Sequence, residues 1–256
     1  MLDLIYTGAD NAHFHAICRR ANWLPGFRSD KRPCAEATDI QFIDVRYTRP
    51  DFARHLAMVR RFRPRYATVP DLSEREVCRQ DIRRALQQAE FLAPHCGVVL
   101  LVPKLPGQIG LLPSEAAIGY SVPTRYGAAH YDLRELEGRR VHLLGGSPHR
   151  QLVLYRYIAC FAEVKSLDCN MFQLMSGFGK FWRAGRWIRH PAWGSGDVRT
   201  SYDCLAWSLF NTRQAWLSLF SHSRCLYCCD GLGLNPCCVW CQDARTSIAR
   251  EAERVG

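Results

Sequence analysis

The chain has 256 residues, 48% of them hydrophobic, with a net charge of +10 and a pI near 9.1. That is enough apolar material for one sizeable core, and no apolar run of 18 residues is present to cross a membrane. The start, "MLDLIYTGAD", lacks the basic stretch and apolar run of a signal peptide, so a cytoplasmic location with reduced cysteines is expected.

Short apolar runs alternate with helix-like segments along the chain. "LDLIYTG" (2–8) reads as a strand and "DNAHFHAICRRANW" as a helix; "DIQFIDV" (39–45) reads as the next strand. "PDFARHLAMVRRF" follows as a helix with Pro50 in its first turn. "RYATVPD" (65–71) is a short strand, after which Ser73 and Glu76 form a capping box opening a helix to about Ala89. "CGVVLLVPK" (96–104) is nearly all apolar, as a strand buried on both faces should be. "AAIGYSV" (116–122), "RRVHLLGG" (139–146) and "AEVKSLD" (162–168) complete seven strands. The eighth is sought at "DVRTSYD" (197–203), with "CLAWSLFNTRQAWLSLF" as its closing helix. Repeated strand–helix units imply a parallel sheet. Seven or eight of them without a dinucleotide fingerprint favour an α/β fold of the (β/α)8 TIM-barrel type, irregular at the last unit, over residues 1–222.

Two segments fall outside that pattern. Residues 177–202 carry three tryptophans, five glycines and several arginines, and read as an irregular excursion. Aromatics among arginines suit base stacking and phosphate contact; the alternative is a loop that packs its tryptophans onto the barrel wall. Residues 223–256 form a cysteine-rich tail, with six of the 13 cysteines between 225 and 241. Cys225 with Cys228, and Cys238 with Cys241, give two C-x-x-C pairs that could hold one structural zinc ion, with Cys229, Cys237 and His222 as spare donors. The alternative is a tail without metal.

Only four of the 34 basic residues are lysines (Lys31, Lys104, Lys165 and Lys180). Arginine grips phosphate in bidentate fashion, so the charge suits a nucleic acid; a genome that favours arginine codons would give the same bias.

A barrel's site lies where its strands end. The strand ends here are Asp44, Asp71, Lys104, the turn Gly119-Tyr120-Ser121, Leu144-Gly145-Gly146-Ser147 and Asp168. Three carboxylates on one mouth can supply a nucleophile and a proton-transfer partner for displacement at an anomeric carbon. Each aspartate could equally be an N-cap of the next helix. His142, alternating within a strand, reads as a hydrogen-bonded barrel residue, and Lys104 as a partner for one of the carboxylates.

The stretches "VHLLGGSP" and "VKSLDCN", one unit apart, resemble the queuine/archaeosine tRNA-guanine transglycosylase superfamily. Its barrels have a Gly-rich strand end followed one unit later by an Asp-Cys carrying the nucleophile. "AIGYSVP", "FID" at 42–44, "VPD" at 69–71 and "LVPKLPG" follow the family's remaining motifs in the same order. Val45-Arg46-Tyr47 replaces the "SGG" expected after Asp44, and Lys104 or a neighbour stands where a glutamine is expected. The short chain looks most like the compact phage and bacterial branch that places 7-deazaguanines in DNA. The resemblance implies Asp168 as nucleophile on C1′ and Asp44 as proton-transfer partner or base holder. It implies Asp71 on guanine N1 and N2, with Gly119, Tyr120 and Gly145 bringing backbone close to the base. Ser121, Leu144, Gly146 and Lys104 would line the same pocket. DNA is the implied substrate, tRNA the alternative, and no redox cofactor is needed. The competing readings are a non-catalytic nucleic-acid-binding protein built on the cysteine cluster, and an unrelated barrel enzyme that seats a phosphate on Gly145-Gly146-Ser147.

Overall fold

The computed structural model describes residues 2–221, apart from 34–36, 47, 74, 125–127, 195–196 and 198. Eight parallel strands close into a barrel in chain order: β1 (Asp3–Tyr6), β2 (Leu24–Arg28), β3 (Phe42–Asp44), β4 (Tyr66–Thr68), β5 (Val98–Leu101), β6 (Ala117–Ser121), β7 (Arg140–Leu144) and β8 (Glu163–Cys169). β8 closes the ring on β1, with Asp168 beside Ile5 and Cys169 beside Tyr6. The helices are α1 (Ala12–Arg20), α2 (Phe52–Phe62), α3 (Arg79–Leu92), α4 (Pro148–Ile158), α5 (Met171–Gly177) and α6 (Arg199–Ser221). The described part of the connection from β2 to β3 holds no helix, and those from β5 to β6 and β6 to β7 hold single 3-10 turns. The irregularity therefore lies in the middle units as well as at the last.

Alternation along the strands sorts residues into two cores. Ile5, Phe42, Tyr66, Leu100 and Ala117 point inward and pack together, five strands contributing one residue each. Phe42 and His142, from opposite sides of the ring, stack through its centre at 5.2 Å and 14°. The alternate positions, including Ile43, Ala67, Leu101, Ile118, Leu143 and Leu167, join the larger core between strands and helices. This period of two matters for the site. Two residues beyond Phe42 on the inner face is Asp44, and two beyond Ser166 is Asp168.

Several sequence expectations are corrected. The missing strand is β2, and 197–203 is not a strand: Arg199 opens α6. That helix takes the eighth helical position. It stacks Tyr202 on His13 of α1 at 5.2 Å and accepts the Trp23 indole N–H on Leu209 O at 3.0 Å. Pro50 lies before α2, whose N-cap is Asp51, accepting from Arg54 N at 3.0 Å. The expected capping box does not form: α3 begins at Arg79, and Ser73 Oγ accepts from Arg75 N instead. Residues 180–189 are an ordered hairpin, β9 (Lys180–Arg183) and β10 (Arg186–Arg189), antiparallel and packed on α5 and α6. Trp182 is buried and Trp187 half-buried, so wall packing accounts for two of the three tryptophans. The zinc ligands expected at Cys225, Cys228, Cys238 and Cys241 lie outside the described residues. No described helix is long and apolar enough to cross a membrane.

Candidate active site

The end of β7 shows how sequence builds the mouth. Gly145 and Gly146 both take left-handed backbone, φ 65° and 82°, which a side chain would strain. Ser147 then caps α4, accepting from Arg150 N at 3.3 Å, and Pro148 fills the first helical position. The left-handed turn aims the Gly145 N–H at Asp168 Oδ1, 3.0 Å away. Gln151, in the first turns of α4, donates to Gly145 O at 2.7 Å and Asp168 O at 2.6 Å, clamping the two strand ends together.

Asp168, only 6% exposed, is held by three groups. Gly145 N and His142 Nε2 (3.2 Å) meet Oδ1, and the Thr7 hydroxyl donates to Oδ2. An ionised carboxylate only accepts, so for this contact to be a hydrogen bond to a carboxylate the His142 proton must sit on Nε2. Its Nδ1 sits 2.7 Å from Ser166 Oγ, a hydroxyl able to donate or accept. His142 is fully buried and locked by its stack on Phe42.

Asp44 is treated differently. It accepts one hydroxyl, Thr68 Oγ1 at 2.8 Å, while Thr68 accepts Val45 N at 2.9 Å. Burial, then the charge of Asp168, then that of Asp71 push the Asp44 carboxyl up to about 7; Thr68 and Arg28 pull it down less. Two facing carboxylates are thus unlike: one cradled by three donors, the other holding its proton to neutrality.

The third carboxylate faces a cation. Lys104 Nζ lies 2.7 Å from Asp71 Oδ2 and donates to Ser121 Oγ at 2.7 Å, with Lys104 itself 3% exposed. Gln108 Oε1 accepts Lys104 N at 2.6 Å and Leu105 N at 3.0 Å, fixing this corner. Asp71 also borders a cleft of about 320 Å³ between the start of α2 and α3, with Asp81 and Arg84 on its far wall. At Gly119 the neighbours stand close: a Cβ would meet Leu144 Cδ1 at 2.7 Å and Val102 Cγ2 at 3.1 Å, so the Leu144 side chain would have to move aside. Tyr120 turns its ring outward onto Tyr131 at 5.8 Å, leaving only its backbone near the mouth.

Asp44, Asp71 and Asp168 therefore come together as the strand ends required, and Lys104 pairs with Asp71. Thr7, Thr68, Gln108 and Gln151 were not singled out from the sequence. Their residue types are common, and Thr7 is 161 positions from its partner. No group of three or more His, Cys, Asp or Glu side chains among the described residues is arranged to hold a metal ion.

Residues 18–217 match the profile of DUF6610, a family of unknown function. The chain belongs to the DUF6610 family. No curated protein matches it. The DUF6610 match takes in every mouth residue described here except Thr7.

Proposed function

We propose that this DUF6610 protein is a base-exchange transglycosylase that replaces guanine in DNA with a 7-deazaguanine derivative. The observation that carries the reading is the unlike pair Asp168 and Asp44, two carboxylates at one barrel mouth, one cradled by three groups and the other raised to about 7. A nucleophile must hold one orientation, and Asp168 is fixed by three hydrogen-bonding groups. A proton carrier must change state near neutrality, and Asp44 is set to do that.

In the first half-reaction an Asp168 carboxylate oxygen bonds to C1′ as the C1′–N9 bond breaks. Departing guanine takes a proton from Asp44. In the second, Asp44 takes the proton from the entering base, whose nitrogen attacks C1′ and expels Asp168. Two inversions retain the β configuration. Asp71 would accept from guanine N1–H and N2–H, beside Lys104. A target base within a duplex would have to be flipped out. The order of "VHLLGGSP" and "VKSLDCN" supports the same reading. The phosphate-barrel alternative loses ground, because the Gly145 N–H it would use is already turned to Asp168.

Labelled guanine supplied with DNA and, separately, with tRNA tests this. Wild-type protein should incorporate label, with DNA as the better acceptor and tRNA the alternative. Asp168→Asn keeps the shape, removes the nucleophile and should lose several orders of magnitude in rate while still binding the polynucleotide. Exchange by Asp168→Asn at the wild-type rate would falsify the assignment.

A further inference from the structure

The β9–β10 hairpin carries a charge arrangement that folding alone does not favour. Its register sets Lys180 opposite Arg189 and Arg183 opposite Arg186. Like charges directly opposite on antiparallel strands repel. The turn between them is also strained, with Ala184 at φ 48° beside Gly185 at φ 83°. The hairpin is nonetheless firmly seated. Phe181 packs edge-on against Trp207 at 4.8 Å, Trp182 N donates to Ser208 Oγ at 2.9 Å, and Asn211 Nδ2 donates to Trp182 O at 3.0 Å. Nothing in that seating answers the four cations. Among the described residues none of them makes an ion pair or a side-chain hydrogen bond. Arg183, Arg186 and Arg189 are exposed and Lys180 is half-buried.

The hairpin's position matters as much as its charge. Trp187 meets Phe172 at 6.2 Å, and Phe172 follows Asp168 by four residues, so the hairpin packs on the helix that directly follows the nucleophile's strand. The two cation pairs are three residues apart along each strand, about 10 Å and on opposite faces of the hairpin, so a single phosphate does not span both. Three of the four cations are arginines, whose planar fork suits phosphate oxygens. Of the hairpin's aromatic side chains Phe181 and Trp182 are buried against α6 and Trp187 is half-buried on Phe172, so none stands free to enter a bilayer. Of the three tryptophans here only Trp193, 40% exposed, offers much ring for stacking.

We infer that the β9–β10 hairpin is a phosphate-binding edge that holds a polynucleotide backbone beside the barrel mouth, by charge and with little regard to sequence. This rests on the proposed nucleic-acid substrate.

The probes are a fluorescein-labelled single-stranded DNA oligonucleotide and its duplex, with affinity read by anisotropy from about 50 to 200 mM salt. The variant replaces Lys180, Arg183, Arg186 and Arg189 together by glutamine. Each lost phosphate contact should flatten the slope of log affinity on log salt by about 0.7 on single strands and about 0.9 on duplex. The free variant should also melt higher than wild type at low salt, with the gain vanishing at high salt as repulsion is screened. Wild-type binding with an unchanged slope in the folded variant overturns the hairpin assignment and leaves the transglycosylase reading standing. No wild-type binding to DNA or RNA removes that reading, and the hairpin assignment with it. A variant that loses affinity for phosphatidylserine vesicles while keeping that for DNA also overturns it.

Discussion

At the base of the barrel, Asp3 accepts the Tyr66 hydroxyl at 2.6 Å and pairs with the Arg65 guanidinium at 3.0 Å. At the mouth, Asp44 accepts a single threonine hydroxyl and faces the charge of Asp168. Asp3 on β1 and Asp44 on β3 are both half-buried on the inner side of the barrel, yet of the two only Asp3 is matched directly to a cation. At the mouth, Lys104 is bound to Asp71, and Arg28, which lowers the Asp44 carboxyl only in small part, pairs with Asp30 at 2.6 Å. A barrel selected for stability alone would neutralise both ends. Retained like-charge repulsion at a strand-end cleft marks the mouth as the place where charge has a task.

The comparison is broken most forcefully at Asp44. Asp44→Asn should cost exchange about 10²–10⁴-fold, the usual worth of a positioned proton carrier. The wild-type rate should fall on both sides of about pH 7, since the same group must donate and then accept, and the asparagine variant should lose that dependence. Stability should move the opposite way. Unfolded, Asp44 ionises near 3.8; folded, it holds its proton to about 7. Between those values the folded state binds more protons, so stability falls as pH rises through the interval. Asp44→Asn should therefore raise Tm at pH 8 and leave it unchanged at pH 4. A variant that is less stable at pH 8 than at pH 4, relative to wild type, would remove the repulsion from the argument.

His142 sharpens the contrast from the other partner. His142→Phe keeps a ring to stack on Phe42 but deletes the bonds to Ser166 and Asp168. A hydrogen bond to a charged group is worth roughly 1.5–3 kcal/mol, so kcat should drop about 10- to 100-fold. KM should hardly change, because His142 is fully buried behind Asp168 and acts through it. A rise in KM at constant kcat would assign His142 to substrate binding instead.

The barrel could be read from the sequence because strand–helix units repeat, and its charged mouth because three apolar runs are closed or closely followed by an aspartate. Asp44, Asp71 and Asp168 were legible for that reason. The second strand was not, since "LPGFR" carries proline and glycine where a strand signal should be. The structure explains the glycine: a Cβ on Gly26 would meet Phe42 Cβ at 2.9 Å, so Gly26 clears the space that Phe42 fills. Once β2 went unrecognised, the eighth strand was sought among residues that belong to α6. The hairpin was hidden differently. Its Ala184-Gly185 turn is a recognisable signal, but the surrounding arginines, tryptophans and glycines read as an irregular excursion.

The smallest effect is expected at the base. Asp3→Asn leaves the Tyr66 hydroxyl an acceptor and removes an ion pair whose arginine side chain is 55% exposed. Solvent screens such a pair, so the cost should be about 0–1 kcal/mol, a downward shift of a few degrees at most in Tm. Exchange should be unchanged, because no substrate approaches that end. The test has force because the two ends are linked through the barrel. Ser166 is close enough to Tyr66 to lower its hydroxyl's pKa and lies 2.7 Å from His142 Nδ1, and His142 in turn meets Asp168. If Asp3→Asn slowed exchange while Tm stayed within a degree or so of wild type, the base carboxylate would be setting the direction of hydrogen bonds up to the nucleophile. The two ends would then be one site, and their different treatment would mark the ends of a relay rather than a division between stability and chemistry.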